Sequence, residues 1–222
     1  MSRPPTLTRV TISATAAAEG PAAVGDQQDG RLLRGARTRR AIVQAYTDLL
    51  SAGHGSPRAQ QVAELAGVGI RTVYNQFSDL EALRAEAGVE VWARIAPYHL
   101  TADDVSADAG LEERLELYVR RRVRVLEILD PYARGAQGRH PSSPALTSHR
   151  QMLVDASLAE LALVFAPELD RLPAAGRSLL LSSLHMVSCW PSWASLLDEL
   201  GLSRVEARAT VLDTLRRLLS GT

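Results

Sequence analysis

The chain has 222 residues, of which 46% are hydrophobic, and its 25 basic and 25 acidic residues give a formal net charge of zero. This is enough apolar sequence to bury a core. The sequence lacks the apolar run of roughly 18 residues that a membrane span requires, its N-terminus lacks the apolar segment of a signal peptide, and a single cysteine, Cys189, excludes an internal disulfide bond. We therefore expect a soluble, cytoplasmic protein.

The charges are unevenly distributed along the chain. Residues 31–80 carry seven arginines and three acidic residues, a net charge of +4. Residues 81–222 carry sixteen arginines and nineteen acidic residues, a net charge of −3. A basic segment beside a mildly acidic one is typical of a protein in which one part binds a polyanion.

The N-terminal part of the chain predicts a tail followed by a helix. Residues 1–30 are rich in Ala, Gly, Thr, Ser, Pro and Gln and show no sustained hydrophobic period, which indicates a disordered tail. From about residue 34 to residue 52, apolar residues recur at the i, i+3, i+4 spacing of an amphipathic helix. The segment "GHGSP" ends this first helix.

Two short helices and a longer one follow. The second helix covers about residues 57–66, with Ser56 as its N-cap and Gly67 just after its end. The third covers residues 70–77. Ser78 then caps a fourth helix, which ends before the proline of "IAPY".

Beyond a polar linker at residues 101–110, the sequence predicts four more helices. They cover about residues 111–129, 145–165, 174–199 and 203–220. The segment "PYARGAQGRHPSSP" is predicted to be broken, with at most a short helix, and Pro191 should kink or split the third of the four. The last begins with a capping box formed by Ser203 and Glu206. No stretch alternates with the period of a strand, so the fold class is all-α.

The third helix has an amphipathic pattern with an unusual polar face. On a helical wheel one apolar arc contains Ile70, Val73, Tyr74 and Phe77. The opposite arc contains Arg71, Thr72, Asn75 and Gln76. Arg, Asn and Gln pair bidentately with base edges in the major groove of DNA, and Thr contacts a thymine methyl group or a phosphate. With the preceding helix and the turn "AGVG", this pattern favours a helix-turn-helix unit. The alternative is the solvated face of an ordinary surface helix.

The segment "AIVQAYTDLLSAGHGSPRAQQVAELAGVGIRTVYNQFSDLEAL" resembles the DNA-binding domain of the TetR family of transcriptional regulators. The resemblance covers roughly residues 36–84, and its most specific part is "AGV…TVYNQF…EAL". It implies a three-helix DNA-binding domain at residues 31–84 and a larger helical ligand-binding and dimerisation domain at residues 85–222. It also implies three partners: a double-stranded DNA operator, a second copy bound through the last two helices, and an unidentified small-molecule effector. We expect no cofactor, no metal and no membrane partner.

The resemblance also assigns site residues. In the family, the tyrosine of a "TVYNQF"-type motif reaches a phosphate, which carries over to Tyr74, with its ring buried and its hydroxyl at the DNA surface. Arg37 and Arg40 precede the first apolar residues of the first helix and are placed for contacts to the DNA backbone. The full set of predicted DNA-binding residues is Arg37, Arg40, Arg58, Gly69, Arg71, Thr72, Tyr74, Asn75 and Gln76.

Two positions depart from the family pattern. Gly69 stands where Ser or Thr often caps the recognition helix, and a glycine cap lacks the side-chain acceptor. Leu80 stands where Lys commonly contacts a phosphate, so about one unit of charge neutralisation is lost. Arg37, Arg39, Arg40 and Arg58 could compensate for that loss.

The larger domain carries no specific motif, and one residue in it is anomalous. Arg122 falls inside the apolar face of the fifth helix, and a buried arginine needs an acceptor. We favour a structural partner such as Asp155 or Glu160, or snorkelling of the side chain to a surface. The other interpretation is a counter-charge for an acidic ligand.

Several further residues are candidates for the wall of a ligand pocket, although each is also typical of an ordinary core. The predicted ligand-binding residues are Trp92, Tyr98, Tyr118, Arg122, Met152, His185 and Trp190, with His99 as a further candidate. His185 and Cys189 could bind a metal or form a reactive pair, but no third ligand is near, so we favour a packed histidine and an inert cysteine.

The last helix carries an apolar stripe that a partner could cover. The stripe consists of Val205, Ala209, Leu212, Leu215 and Leu219. We expect two-fold pairing to cover this stripe together with the region of Trp190 and Trp193.

Two other functions compete with a transcriptional regulator. The first is a helical dimer that binds a small molecule and whose DNA-binding domain has decayed, as Gly69 and Leu80 would allow. The second is an enzyme, for which the sequence offers no Ser–His–Asp arrangement, paired carboxylates, phosphate loop or metal cluster.

Overall fold

The computed structural model describes residues 25–136 and 144–221, and within these ranges it contains ten α-helices and no strand. This confirms the all-α class. The helices are α1 (Gly25–Ser51), α2 (Ala59–Ala66), α3 (Ile70–Gln76), α4 (Leu80–Ile95), α5 (Leu111–Ala136), α6 (Pro144–Val164), α7 (Ala166–Leu169), α8 (Ala174–Ser188), α9 (Trp190–Asp198) and α10 (Arg204–Ser220). Two single 3-10 turns, Ala96–Tyr98 and Ala102–Asp104, connect α4 to α5. Across the described ranges, no helix is both long and apolar enough to span a bilayer.

The first helix starts earlier than the sequence predicted. α1 begins at Gly25 rather than at about residue 34, so residues 25–30 are helical and not part of a disordered tail. The rest of the predicted tail, residues 1–24, lies outside the described residues. The chain divides into two compact units between Arg37 and Thr38, and all packing described below lies within the second unit.

Two predicted N-caps are wrong by one or two positions. Arg58, not Ser56, caps α2, and its backbone N–H donates to Gln61 Oε1 at 2.9 Å. Asp79, not Ser78, caps α4, because its carboxylate accepts the backbone N–H of Ala82 at 2.8 Å. In each case polar residues stand close together before the helix, so residue type alone does not identify the cap. The cap is the residue whose backbone or side chain makes the hydrogen bond to the first turn. Gly67 follows α2 with a left-handed φ of 66°, as predicted.

The predicted break after residue 129 is also wrong, since α5 continues through Pro131 to Ala136. Pro131 removes one helical hydrogen bond, but the turn around it is held from outside. The Arg134 guanidinium binds Asp130 on the same helix at 2.9 Å and Asp198 on α9 at 2.6 Å, and Tyr132 is buried. Residues 137–143 of the same predicted broken segment lie outside the described residues.

The C-terminal helices follow the prediction more closely. α8 and α9 are separated at Cys189, whose extended backbone precedes Pro191 in the first turn of α9. Ser203 caps α10 in a capping box with Glu206, whose carboxylate accepts the Ser203 backbone N–H at 2.8 Å.

The second unit contains two hydrophobic cores. The smaller is formed by α1 to α4 and consists of Ile42, Val43, Ala45, Tyr46, Val62, Ala63, Val73, Phe77, Leu83 and Ala87. The larger is formed mainly by α5 to α10, and its largest fully buried side chains include Leu115, Tyr118, Leu126, Leu161, Phe165, Leu184, Trp193, Leu215 and Leu219. The domain boundary predicted between residues 84 and 85 stays a prediction, and α4 crosses it without a break.

Candidate functional site

α3 is a seven-residue helix held in place by two side chains. Val73 is the buried residue of α3, and Phe77 directly follows the last residue of the helix. The two residues lie one turn apart, and both belong to the smaller core. Gly69 caps the helix without a side-chain bond, and its carbonyl accepts the Thr72 N–H at 2.8 Å. An isolated helix of this length is not stable in water, so its order depends on this packing.

The exposed face of α3 differs from the predicted one. Ile70 and Tyr74 were assigned to the apolar arc, but they are 42% and 52% exposed. Thr72 and Gln76 were assigned to the polar face, but both are half-buried. A helix this short can bury only one i, i+4 pair deeply, and Val73 and Phe77 are that pair, so the flanks of the apolar arc stay open. The predicted burial of the Tyr74 ring is therefore wrong.

The side chains with hydrogen-bonding groups that α3 presents to solvent are Arg71, Tyr74 and Asn75. They occupy positions i, i+3 and i+4, so they are neighbours on one surface. Together they offer a guanidinium, a phenol and a carboxamide, which are groups suited to bases and phosphates.

Arg39 of α1 fixes the C-terminal end of α3. Its guanidinium lies 4.0 Å from the centroid of the Phe77 ring and donates to the Gln76 carbonyl. It also binds Glu86 of α4, with Nε at 3.0 Å from Oε1 and 2.8 Å from Oε2. This arginine was predicted to compensate for a lost phosphate contact, but it is committed to these partners. No local signal in the sequence distinguishes it from Arg40, because its partners lie far along the chain.

Three other arginines of the second unit keep their charge free. Arg40, Arg58 and Arg71 are exposed, and each lacks a carboxylate within 4.0 Å in the part of the chain that the structure describes. Arg37 is exposed on α1. Unpaired arginines of this kind produce a positive potential that attracts a polyanion.

The structure accounts differently for Gly69 and Leu80, the two positions that depart from the family pattern. Gly69 has an ordinary extended backbone (φ −73°, ψ 148°), and a Cβ added there would come no closer than 4.0 Å to another group, Thr72 Oγ1. Glycine is therefore not required at this position. Leu80 is half-buried and packs against the smaller core. Its side chain therefore contributes to packing and cannot contact a phosphate as a lysine would.

Three predicted ligand residues come together in the larger core. Tyr118 and Arg122, one turn apart on α5, both contact Ser188 at the end of α8: the Tyr118 hydroxyl donates to Ser188 Oγ at 2.9 Å, and Arg122 Nε donates to the Ser188 carbonyl at 2.8 Å. His185, one turn earlier on α8, contacts Ser157 of α6, with Nδ1 at 3.2 Å from Oγ.

The other candidates lie against different partners. Trp92 stacks on His99 with ring centroids 5.3 Å apart. Tyr98 lies 5.8 Å from the Arg124 guanidinium, and the Trp190 indole N–H donates to Asp130 at 2.9 Å. Met152 is half-buried on α6.

The partner that we favoured for Arg122 is wrong. Both oxygens of Glu160 are engaged elsewhere, one with His99 Nδ1 at 3.0 Å and the other with the Leu100 N–H at 2.8 Å. Asp155 accepts from the Gln151 amide at 2.8 Å. The side chain does not extend into open solvent either, because Arg122 is only 6% exposed. The acceptor is instead a backbone carbonyl that the end of α8 leaves without a helical partner.

His185 and Cys189 do not contact each other. The Cys189 thiol donates to the Met186 carbonyl at 3.2 Å. Burial, with a smaller effect from the charge of Arg122, lowers the pKa of His185, whereas burial raises the pKa of the Tyr118 phenol. In the described ranges, no group of three or more His, Cys, Asp and Glu side chains is placed to hold a metal ion.

Sequence reasoning missed two connections between the cores. Arg94 of α4 donates to the Tyr132 hydroxyl on α5 at 2.7 Å and to Gln44 on α1 at 3.1 Å. Gly88 of α4 lies directly against the imidazole of His149 on α6. Helical periodicity shows that such residues share a face with their neighbours but does not identify a partner on another helix.

An apolar groove of about 500 Å³ lies on the surface between α8, α9 and α10. Its lining includes Met186, Pro191, Leu196, Val211 and Thr214. The predicted stripe on α10 is only partly available beside it. Leu215 and Leu219 are buried within the chain, as are Trp190 and Trp193, whereas Val205 is 78% exposed.

Comparison with known proteins supports the fold. The backbone is similar to the crystal structure of a proposed TetR-family transcriptional regulator from Mesorhizobium loti MAFF303099, with a TM-score of 0.61 and 19% sequence identity over 84% of this chain and 97% of that chain. No protein-family model matches the sequence, and no curated protein matches it. At this identity the likeness shows a shared all-helical fold.

Proposed function

We propose that the protein is a sequence-specific, DNA-binding transcriptional regulator in which α3 is the recognition helix. The observation that carries the proposal is the exposed triplet Arg71, Tyr74 and Asn75 on a short helix that is seated by two core residues and anchored by Arg39. The likeness to a proposed regulator of the TetR family agrees with this role.

Each exposed group has a role in DNA binding. Arg71 and Asn75 can pair bidentately with guanine and adenine edges in the major groove, and the Tyr74 hydroxyl can donate to a phosphate. Arg40 and Arg58, together with Arg37 earlier on α1, supply charge for the DNA backbone. The half-buried Thr72 and Gln76 lie at the edge of this face. Gly69 has no side chain that could obstruct the approach of DNA.

The regulator would act as a two-fold dimer. The groove between α8, α9 and α10 and the exposed Val205 on α10 support pairing with a second copy, because apolar surface of this kind is usually covered in an assembly. A dimer would place its two α3 helices on half-sites separated by about 34–36 Å, or a multiple of this. We further propose repression that a small molecule relieves.

α4 is the element that would connect an effector to the DNA. Arg94 joins it to α1 and α5, and Gly88 joins it to α6. A ligand that shifts α5 or α6 would therefore move α4 and alter the spacing of the recognition helices.

The test is a selection of binding sites from random duplex DNA, followed by affinity measurements on the selected site and on scrambled DNA. We expect Arg71→Ala to weaken specific binding by about 1–3 kcal/mol while non-specific binding changes little. Arg120→Ala is the matched control. Arg120 is exposed on α5, a helix that contributes to the larger core and not to the smaller one. If Arg71→Ala and Arg120→Ala bind the selected site equally well, α3 is not the reading helix.

The second candidate function is a small-molecule-binding helical dimer without DNA binding. The lack of a side-chain cap at the start of α3 and the apolar Leu80 favour it. Failure of the selection to enrich any sequence at low salt, while the protein remains folded and dimeric, would favour this alternative.

A further inference from the structure

Arg122 is a buried cation without a counter-ion. It lies on α5 between the apolar residues of the larger core and is 6% exposed. Its Nε donates to the Ser188 carbonyl, and no carboxylate lies within 4.0 Å of its guanidinium in the part of the chain that the structure describes. Within that same part, neither terminal nitrogen has a hydrogen-bond acceptor.

One carbonyl does not balance this charge. Arginine cannot lose its proton in a protein, and transferring a charge from water to an apolar interior is costly unless it is paired and hydrogen-bonded. The negative end of the α8 dipole compensates part of the cost. The two terminal nitrogens, which carry four N–H groups, still lack an acceptor among the described residues.

The acids that could serve as a partner are committed elsewhere. Glu160, an acidic residue on α6, holds His99 and the Leu100 N–H. In the same region burial and the charge of Arg122 lower the pKa of His185, which disfavours a second positive charge there. The surroundings thus contain one free positive charge and uncharged polar groups, with the phenol of Tyr118 one turn away.

The terminal nitrogens of Arg122 are not fully enclosed by the chain. Among the described residues, the one fully enclosed side-chain nitrogen or oxygen that lacks a hydrogen-bond partner is His99 Nε2. An unpartnered nitrogen of Arg122 must therefore be accessible to a water-sized group. Val119 and Leu126, on either side of Arg122 along the same face of α5, are fully buried.

We propose that Arg122 anchors the carboxylate of a small organic acid. The two terminal nitrogens match the two oxygens of a carboxylate in a bidentate pair. This inference deepens the effector part of the proposed function and rests on it for its regulatory meaning, but the binding itself requires no DNA.

The experiment measures binding of simple acids to the full-length protein in the absence of DNA. The probes are butyrate, octanoate, benzoate and phenylacetate, each compared with its neutral alcohol, by thermal unfolding and calorimetry. We expect at least one acid to raise the unfolding temperature to a saturating value, and its alcohol to have no such effect. Arg122→Met should weaken acid binding by roughly 30-fold or more.

Two further variants keep the result interpretable. Arg120→Met changes an exposed arginine two residues away on the same helix and should bind the acid as the unmodified protein does. Arg122→Lys retains the charge but loses the two-pronged geometry, so it should fold and still bind the acid more weakly, even if Arg122→Met does not fold.

The proposal is overturned if no acid binds better than its alcohol, or if the Arg122 variants bind the acid as tightly as Arg120→Met. The first result would mean that Arg122 serves only to close the end of α8. Loss of acid binding with DNA selection intact would leave the proposed function standing. Acid binding without any selected DNA would refute only the DNA-binding role.

Discussion

Replacing Arg39 by methionine should weaken the attachment of α3 to α1 and α4. The variant loses the pair with Glu86, whose two side chains are 38% and 35% exposed, so screening limits this loss to about 1 kcal/mol. The bond to the Gln76 carbonyl contributes about 1 kcal/mol, and the contact with the Phe77 ring about 0.5–1 kcal/mol. Since methionine keeps part of the packing, we expect the free energy of unfolding to fall by about 2 kcal/mol.

The neighbouring arginine provides a matched control. Arg40→Met should change the free energy of unfolding by less than about 0.5 kcal/mol, because Arg40 is exposed and unpaired. It should instead lower the slope of log affinity against log salt by about one, as for one lost phosphate contact. Urea unfolding followed by circular dichroism measures the first quantity, and DNA titrations at several salt concentrations measure the second.

A double-mutant cycle isolates the Arg39–Glu86 pair. Glu86→Gln alone and combined with Arg39→Met should reveal a coupling energy of about 1 kcal/mol. The reasoning fails if Arg39→Met and Arg40→Met have the same free energy of unfolding, since Arg39 would then be an ordinary surface arginine.

Three further predictions concern helix ends, helix contacts and pH. Gly69→Ser should raise the free energy of unfolding by about 0.5–1 kcal/mol, because it adds a capping hydroxyl and restricts the unfolded chain. Urea unfolding measures this change, and a lower urea midpoint would contradict the cap geometry. Gly88→Ala should destabilise the protein by about 1–3 kcal/mol, since the added methyl group overlaps the His149 ring; addition of His149→Ala should restore part of the loss, and an unchanged midpoint for Gly88→Ala would refute the contact. Burial lowers the pKa of both His149 and His185, so the unfolded chain binds more protons, and stability should be complete above about pH 6.5 and decrease as the pH falls below it. Unfolding curves from pH 7.5 to 5 for the protein and for His185→Gln test this, and equal slopes would exclude His185 as a contributor.

The sequence predicted elements best where the signal is local. The left-handed Gly67, the Ser203 and Glu206 capping box and the separation of α8 from α9 at Pro191 all depend on residues within one turn of each other. These features need no knowledge of the rest of the fold, because a cap or a proline acts on its own backbone.

The errors arose where a distant contact decides the outcome. α5 passes Pro131 because Asp198, far along the chain, holds the following turn through Arg134. Tyr74 is exposed because the surrounding helices cover only the i, i+4 pair of α3, which helical periodicity cannot show. Arg122 was recognised as buried from its position on the wheel, but its acceptor is a backbone carbonyl, and such acceptors are not encoded by residue type.

The division of labour within α3 has a consequence for engineering new specificities. The residues that seat the helix, Val73 and Phe77, are not those that face outward, Arg71, Tyr74 and Asn75. The outward positions can therefore be randomised in a library while the scaffold stays constant, since each library member keeps the same two buried side chains and the same arginine anchor. If α3 reads DNA as proposed, its sequence preference can be changed by exchanging a few surface side chains without redesigning the core.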